Sequence, residues 1–450
     1  MSWQEQVFGP ILARSMENLQ IRHLANSYDL SRDSRLARAI VEKVNATLDA
    51  EERRRGIERL RPGELLLRTH RGPVVIPLRT EEMLRRVMKG ERLATVRADI
   101  LEIARERFKD RYPEASSEMV AKFIRCIYPG QAPRAKPGKG SCWLRPRHAR
   151  PWPEQDELRT SGAQLAEADA ARGLARTGRQ PPRPAHRPDT LAELQRFLVT
   201  EAAIAPALCE PMLAELVALR ARCCPRLSML ESGQMPVVAM HPDAGRSLWQ
   251  SMRYQPLAPV VVLVLAEGEA RQLRYDPPRS TEELTEHYGR RCARVLTEAY
   301  AQDGLISYGE LQWMFLASAE TISRGIDAYQ RINQVILPCP GTILDMGRML
   351  THKTLIVRLH LQGHSVLEIA RATFHHPRSV DAYLRDFDAV LICHLYGMPP
   401  PVIASVIHKG TSLVAEYLEL IDKYLKDADI MRAHLRERGV KVPLALPRGS

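Results

Sequence analysis

Four histidines in one short stretch of the chain could supply metal ligands. His360 and His364 are four residues apart, so a helix would place both on one face, and His375 and His376 follow. The HLQGH sequence lacks the glutamate of a zinc-hydrolase helix, and no set of acidic or cysteine ligands accompanies it. We interpret these histidines as surface residues or phosphate contacts, and expect no metal, no cofactor and no catalytic residue here.

Other arrangements that would indicate an enzyme are missing from the sequence. There is no Walker loop, no GxGxxG or GxSxG motif and no recognisable carboxylate set of a nuclease or recombinase. The acidic pairs Glu81/Glu82 and Glu282/Glu283 fall at expected helix starts, where the helix dipole already accounts for them. An enzymatic function is therefore the weakest of three interpretations: a nuclease or recombinase with an unrecognised active site in residues 1–130.

The composition is that of a folded protein. Of the 450 residues, 45% are hydrophobic and 26% are charged, which is ordinary for a globular chain. The N-terminus lacks the pattern of a secretory signal, and the longest apolar stretch, residues 258–266, is too short for a membrane-spanning helix. The eight cysteines form no CxxC pair, so we expect buried reduced thiols. These features indicate a cytoplasmic protein without a membrane partner.

The net charge of +12 is unevenly distributed, and almost all of the excess lies in residues 1–188. Residues 129–188 are rich in Pro, Gly, Ala and Arg and lack helical or strand periodicity, so we interpret them as a linker. This linker is either a solvated spacer or a basic tether that touches phosphates nonspecifically. A basic chain favours an anionic partner such as nucleic acid, which would associate the protein with the nucleoid.

The segments on either side of this linker show a similar order of patterns. Before it, residues 36–48 and 81–108 have the apolar spacing of amphipathic helices, and PGELLLRTHRGPVVIPL between them predicts a hairpin. After it, SGQMPVVAMHPD and APVVVLVLAE predict two short apolar strands, followed by a helix over residues 281–301. The order suggests that an N-terminal α+β module at 1–128 and a helical and strand module at 189–300 are distant duplicates.

Residues 301–350 predict a winged helix, the first of three units that could contact DNA. Ser307 and Glu310 form a capping box that starts a helix to about residue 316, and Ser318 is the expected N-cap of the next helix. The sequence QVILPCPGTILDMG then offers two short apolar runs about a turn, the place of a wing. The candidate DNA contacts of this unit are Ser318, Thr321 and Arg324.

Residues 351–390 predict a helix-turn-helix unit. A capping box of Ser365 and Glu368 starts its first helix, the FHH sequence forms the break, and Pro377 fits the first turn of the second helix. The inward face of that second helix consists of Val380, Tyr383 and Leu384. The side chains expected to face outward are Arg378, Ser379, Ala382 and Arg385, and the candidate DNA contacts among them are Arg378, Ser379 and Arg385.

The same unit recurs over residues 391–426. Residues 361–384 align without a gap on residues 395–418, and the matches fall mostly at positions that a packed helix pair must fill. The side chains expected to be exposed in this second copy are Lys409, Ser412 and Glu416, of which Lys409 and Ser412 are candidate DNA contacts. The spacing of the copies also fits the period of a tetratricopeptide array, so a purely packing helical repeat is the alternative. Residues 427–450 follow as a tail.

Three stretches carry a resemblance to a known family. They are GLISYGELQWMFLASAETISRGIDAYQ, ILPCPGTILDMGRMLTHKTLIV and LHLQGHSVLEIARATFHHPRSVDAYLRDF. The run from about Leu257 to Tyr424 resembles an uncharacterised prokaryotic family of unknown function with a C-terminal winged helix and tandem helix-turn-helix units. The N-terminal half resembles it only faintly, and the linker does not. The resemblance implies DNA binding through those units alone and adds no catalytic residue.

The expected fold is mainly α with small β-hairpins: an N-terminal α+β module, a winged helix and two tandem helix-turn-helix units. The expected function is sequence-specific binding of double-stranded DNA, as a transcription regulator or as the DNA-recognition component of a mobile element. The second interpretation is a scaffold whose helical repeats bind protein instead. In either case the partner set includes a second copy of the chain or another protein.

Overall fold

The computed structural model describes residues 3–30, 33–129, 188–244, 256–333, 335–344, 350–375, 377–425 and 434. The expected linker lies outside the described residues, apart from its two ends. The chain divides into two compact units, Met1–Ile326 and Asp327–Ser450. No helix in the described part of the chain has both the length and the apolar character needed to cross a membrane.

The first unit begins with six helices and a hairpin. The helices are α1 (Trp3–Leu12), α2 (Met16–Ser27), α3 (Ser34–Arg54), α4 (Glu81–Met88), α5 (Leu93–Arg111) and α6 (Ser117–Ile127). Strands β1 (Glu64–Thr69) and β2 (Gly72–Pro77) lie between α3 and α4 and pair antiparallel, with Leu66 opposite Val75. The hairpin predicted between the two amphipathic stretches is therefore confirmed.

The same order of elements returns after residue 188. It comprises α7 (Pro188–Thr200), α8 (Pro206–Cys223), β3 (Gln234–Met240), β4 (Leu257–Leu263), α9 (Glu267–Tyr275), α10 (Thr281–Tyr300) and α11 (Tyr308–Met314). Strands β3 and β4 also pair antiparallel, with Val238 opposite Pro259. From α2 to α6 and again from α7 to α11, the order is two helices, two strands and three helices.

Hydrogen bonds between the two hairpins repeat with the same offset as the elements. The Gly63 amide donates to the Pro236 carbonyl at 2.9 Å, and the Gly233 amide donates to the Leu66 carbonyl at 2.6 Å. The step from Gly63 to Gly233 equals the step from Leu66 to Pro236, so one bond is the counterpart of the other. Two amides after the second strand of each hairpin also donate to the glycine carbonyl, from Leu78 and Arg79 in one copy and from Val264 and Leu265 in the other. These paired contacts support the duplication suggested by the sequence.

The helices of the two copies share one apolar core. Leu24 and Ile40, from α2 and α3, are fully buried with Leu194 from α7 and Met212 from α8. Fully burying each such side chain stabilises the fold by about 1.5–3 kcal/mol. The seven cysteines in the described residues, 126, 209, 223, 224, 292, 339 and 393, are free and buried, as the sequence predicted. Burial raises the pKa of the Cys224 thiol to about 12, which keeps it protonated.

The two copies of the first unit are also joined through the buried carboxylate of Glu310. It accepts a hydrogen bond from the Ser307 amide at 2.8 Å, which completes the predicted capping box at the start of α11. Its Oε2 also accepts from Arg14 Nη1 at 2.7 Å, and Arg79 Nη1 lies 3.6 Å from its Oε1. Because Glu310 is fully buried, these cations compensate a charge that would otherwise be costly to desolvate.

Helix α10 buries a second charged cluster against β4. Arg291 is 1% exposed and donates from Nη2 to the Val264 carbonyl at 3.0 Å, while Glu269 pairs with both Arg291 and Arg294. His287 lies one turn before Arg291 and is 2% exposed. Burial, and after it the neighbouring Arg291 cation, lower the pKa of His287 to about 3.

The second unit consists of short helices joined by tight breaks. Helix α12 (Ala319–Asn333) spans the boundary between the units, and a short helix α13 (Pro340–Ile343) follows. Five helices complete the unit: α14 (Leu350–Leu361), α15 (Val366–Thr373), α16 (Pro377–Leu395), α17 (Pro400–Val406) and α18 (Thr411–Leu425). The expected wing is wrong within the described residues, because residues 335–339 contain no strand and residues 340–343 are helical. The fold is mainly helical, with small antiparallel two-stranded sheets.

The backbone of the second unit repeats with the same period as its sequence. Gly363 and Gly397, just after α14 and α16, have φ values of 87° and 73°. Phe374 and His408, after α15 and α17, both adopt the left-handed conformation, at 55° and 54°. Equivalent breaks therefore share the same left-handed residue position in both copies. Helix α16 is the last helix of the first copy and the first helix of the second.

Two glycines of the first unit should be irreplaceable. Gly63 and Gly233 have φ values of +91° and +87°, and an added Cβ would collide with the carbonyl oxygens of Arg79 and Leu265. Because those residues are held by backbone hydrogen bonds, Gly63→Ala and Gly233→Ala should each lower the free energy of unfolding by at least about 4 kcal/mol. Gly90→Ala is the control, since φ is +100° there but no atom lies within 4 Å. It should cost about 1–2 kcal/mol in urea unfolding. Equal losses in all three variants would contradict this packing.

The buried neutral His287 should make stability depend on pH. Its folded pKa lies below the ordinary value of about 6.5, so the unfolded chain binds a proton that the folded chain does not. The free energy of unfolding should therefore fall as the pH decreases from about 6.5 toward 3, by at most about 1.4 kcal/mol per pH unit from this residue. Urea unfolding of the parent and of His287→Gln at several pH values measures the difference. Identical slopes would show that His287 does not titrate in this way.

Candidate nucleic-acid interface

The first helix pair of the second unit has the local geometry that its sequence predicts. The Ser365 amide donates to Glu368 Oε2 at 2.8 Å, and the Glu368 amide donates to Ser365 Oγ at 3.3 Å, so the capping box is present. Helix α15 ends at Thr373 and α16 begins at Pro377, after a break of three residues. His376, in that break, lies outside the described residues.

The inward face of α16 is buried as expected, but its outward face is narrower than expected. Val380 and Leu384 are buried and Tyr383 is half-buried against α14 and α15. Arg378 and Arg385 are exposed, whereas the expectation that Ser379 faces outward is wrong, because Ser379 is 7% exposed. Position 379 precedes Val380 on the helix and lies beside its inward stripe. Ala382 is half-buried and also departs from the expected outward placement.

An intrahelical ion pair reduces the charge that Arg385 presents. Arg385 Nε lies 3.1 Å from Asp381 Oδ2, one turn earlier on α16, and both side chains are largely exposed. A pair of this kind contributes only about 0.3–0.5 kcal/mol to stability, so a phosphate could replace the carboxylate at little cost. Arg371, at the end of α15, adds a further exposed cation next to the break.

The second helix pair departs from the first in its polar contacts. Lys409 is exposed, but its Nζ lies 3.0 Å from Asp386 Oδ2. Ser412 is exposed in the first turn of α18. The expectation that Glu416 is exposed is wrong, since it is half-buried and pairs with Lys353 Nζ at 2.7 Å.

The outer surfaces of the two copies differ in chemistry at equivalent positions. The first copy exposes Arg371, Arg378 and Arg385, and the equivalent residues of the second copy are Ser405, Ser412 and Glu419, also exposed. Conversely, polar or small residues of the first copy are replaced by apolar ones in the second. The exposed apolar set of the second copy is Tyr396, Met398, Val402 and Val406. At these three equivalent positions the exposed arginines occur in the first copy only.

The candidate contacts at the start of α12 are largely engaged in capping. Ser318 Oγ accepts a hydrogen bond from the Thr321 amide at 3.2 Å and lies 2.8 Å from Thr321 Oγ1. The predicted N-cap is thereby confirmed. Arg324 is exposed and lies 3.1 Å from Glu320, one turn earlier. Arg324 is thus the side chain of this group that presents a charge to solvent.

The histidines do not all lie on the surface. His375 is 7% exposed, its Nδ1 lies 2.7 Å from the Thr373 carbonyl, and its ring packs edge-on against Tyr383. The interpretation of His375 as a surface residue is therefore wrong, and the left-handed turn at Phe374 explains its inward direction. His364 is exposed, whereas His360 is half-buried.

The first unit contains a cleft of about 1090 Å³. Its charged lining is where the active site of a nuclease or recombinase would be sought. Its lining includes Arg14, Asp49, Glu52, Arg59, Glu64, Arg79, Arg107, Arg111 and Arg220. Arg220 Nη2 lies 2.7 Å from Asp49 and 2.6 Å from Glu52, and Arg59 Nε lies 2.7 Å from Glu52. Burial raises the pKa of the Glu64 carboxyl. Carboxylates already paired with guanidinium groups do not make a set that converges on a metal ion.

The geometry defines a mainly helical protein in which the same order of helices and hairpin occurs twice, followed by tandem helix pairs. Residues 201–420 contain a domain that matches the family described as "Protein of unknown function (DUF1670)". The match begins before the run from Leu257 that carries the resemblance and includes α8 and β3. No curated protein and no solved structure matches the chain.

Substitutions on the two faces of α16 should separate packing from surface roles. Arg378→Ala and Arg385→Ala should change the free energy of unfolding by no more than about 0.5 kcal/mol, because both side chains are exposed. Leu384→Ala should cost about 2–5 kcal/mol, because it leaves a cavity in the core that Leu384 shares with Ile356 and Ile369. Thermal or urea unfolding measures all three variants. A small effect of Leu384→Ala would contradict the buried face.

Proposed function

We propose that the protein binds double-stranded DNA in a sequence-specific manner through the second unit, as a transcription regulator or as the DNA-recognition component of a mobile element. The observation that carries this proposal is the tandem repeat of two helix pairs, each with a break of three or four residues. A short break between two packed helices is typical of helix-turn-helix units, in which the second helix contacts base edges in the major groove.

The first copy is the better candidate for direct contact with bases. The N-terminal part of α16 presents Arg378 and Arg385, and Arg371 lies just before the break. Arginine is the side chain most often used to contact guanine, and helix N-termini favour phosphate groups. In the second copy, exposed Lys409 and Ser412 lie before and at the start of α18, where they would contact the backbone of the same duplex.

The remaining basic segments would add affinity without sequence preference. Residues 131–188 contain 12 Lys and Arg against 5 Asp and Glu. Their contacts to phosphates would be electrostatic and therefore sensitive to salt. Arg324 of α12, with the Ser318 and Thr321 hydroxyls beside it, is the alternative contact if α16 does not meet the bases.

A protein-binding scaffold is the second candidate, and one observation favours it. The exposed apolar residues of the second copy are Tyr396 (61% exposed), Met398 (37%), Val402 (45%) and Val406 (53%). Apolar side chains grouped on one surface are characteristic of protein contacts. In this interpretation the second helix pair binds another protein or another molecule of the same chain. The shared helix α16 then contributes only to packing.

Arginine variants on α16 test the DNA proposal. Arg378→Ala and Arg385→Ala should each weaken binding to a preferred duplex by about 1–3 kcal/mol if a base contact is lost, and less if only phosphates are touched. The matched control is Arg290→Ala, which removes an arginine with the same i, i+4 pairing, to Glu286, from the first unit. The preferred duplex is first selected from a random pool with the parent protein. Fluorescence anisotropy at several salt concentrations then gives affinity and salt dependence.

The outcomes distinguish the two candidates. For DNA binding, log affinity should fall linearly with log salt, with a slope of about 0.9 for each phosphate contact, and Arg290→Ala should match the parent. If no duplex sequence is enriched, and the Arg378→Ala and Arg385→Ala variants bind DNA as the parent does, α16 does not contact the bases. If the chain has no affinity for duplex DNA and Val402→Ser with Val406→Ser releases a protein partner or a second copy, the scaffold interpretation is correct.

A further inference from the structure

Three side chains that are far apart in the sequence meet on one side of the second unit. They are His360 at the end of α14, Asp388 in the middle of α16, and His434 after α18. Their ligand atoms all lie within 4.8 Å of one another. In the described part of the chain, no other group of three histidine, cysteine, aspartate or glutamate side chains is arranged in this way.

The cluster is shielded from solvent. His434 is 5% exposed, its Nε2 lies 2.7 Å from Asp388 Oδ1, and the Asp388 side chain is 15% exposed. The His360 ring packs edge-on against His434, with ring centroids 4.9 Å apart, and Phe387 covers His434 from another side at 6.3 Å. These ring contacts restrict solvent access to the three ligand groups and hold the His434 ring in place.

The three side chains are of the types that bind divalent metal ions intermediate between hard and soft, such as Zn²⁺. Two imidazoles and one carboxylate form a common ligand set for zinc and other divalent first-row metals. Zinc bonds to nitrogen and oxygen of about 2.0–2.2 Å place tetrahedral ligand atoms about 3.4 Å apart. The widest gap in the cluster must therefore close by at most about 1.4 Å, and the Asp388–His434 contact must open by about 0.7 Å, which side-chain rotations can accommodate.

We propose that His360, Asp388 and His434 bind one divalent transition-metal ion, with Zn²⁺ as the first choice. Each imidazole would bind as the neutral form through one ring nitrogen, and Asp388 would bind through one carboxylate oxygen. Three protein ligands leave a fourth position for water or for another ligand. The site is independent of the proposed DNA contacts, because none of its three residues belongs to them.

The position of the site indicates what the metal would do. It joins α14, which opens the first helix pair, to α16, which both copies share, and it fixes the chain at residue 434 against them. Loss of the metal should therefore loosen the first copy and the attachment of residue 434. A bound ion of this kind stabilises the folded state by mass action, by an amount that grows with the logarithm of its free concentration divided by its Kd.

The repeat provides a matched control. His394 and Asp422 are the counterparts of His360 and Asp388 at the repeat spacing, so the second copy has the same two residue types at equivalent positions. Among the residues described, no third ligand joins that pair, and His394→Ala should leave metal binding unchanged. Asp388→Asn keeps the shape and the hydrogen-bonding oxygen but removes the charge, and therefore tests coordination with the least change in packing.

The experiment is a titration of the metal-free full chain with Co²⁺, whose visible spectrum reports a tetrahedral site, and with Zn²⁺ by calorimetry. The parent and His394→Ala should bind a single equivalent. Removal of an outer partner of a ligand costs about 10–100-fold in affinity, so His360→Ala, Asp388→Asn and His434→Ala should each lose at least about 100-fold. Circular dichroism confirms that each variant is folded, and EDTA should lower the melting temperature of the parent but not of His360→Ala.

Two results would overturn the proposal. The first is a folded parent that binds neither metal at concentrations up to about 0.1 mM, in which case the cluster is a hydrogen-bonded His–Asp pair with a second histidine beside it. The second is equal binding by the parent and by all three ligand variants, which would place the metal elsewhere in the chain. Should a single variant fail to fold, the two that remain folded decide the outcome, since each removes a different ligand.

Discussion

The second unit depends on one helix that must be buried on two faces. Helix α16 places Val380 and Leu384 in the core of the first helix pair, and Phe387, Val390 and Leu391 in the core of the second. A helix that packs in two cores needs two apolar stripes, and the breaks at its two ends determine where each stripe begins. Phe374 and Gly397, both left-handed, lie in the breaks before and after α16, and Gly363 and His408 have the same conformation in the breaks after α14 and α17.

Much of the fold could be predicted because its signals are local. Capping boxes at Ser307 and Ser365 fix helix starts through contacts within four residues, and the two short apolar runs of residues 62–78 around an Arg-Gly turn indicate a hairpin. The wing was predicted wrongly for a related reason. The apolar runs around Pro340 resemble strands, but strands require partners, and a proline at a helix N-terminus is equally consistent with the short helix that forms there.

The parts of the sites that could not be predicted depend on contacts between distant segments. In the sequence His360 stands beside other histidines, whereas the groups that actually meet it, Asp388 and His434, come from other elements. The exposure of Ser379 was predicted wrongly for another reason. Ser379 lies at the margin of the buried stripe, where a small rotation of the helix decides whether a side chain is buried or exposed. The pairing of the two hairpins through Gly63 and Gly233 could likewise not be predicted from the sequence, although the order of elements already suggested a duplication.

The two copies in the second unit agree at buried positions and differ at exposed ones. At buried positions the copies agree, as in Ile369 and Ile403 or Val380 and Val414, because both cores have the same shape to fill. At exposed positions they have diverged, and the cation Arg378 corresponds to Ser412 while Glu368 corresponds to Val402. Packing alone would permit any exposed polar residue, so it does not account for apolar residues in one copy and arginines in the other. The two copies therefore present different surface chemistry on a common helical frame.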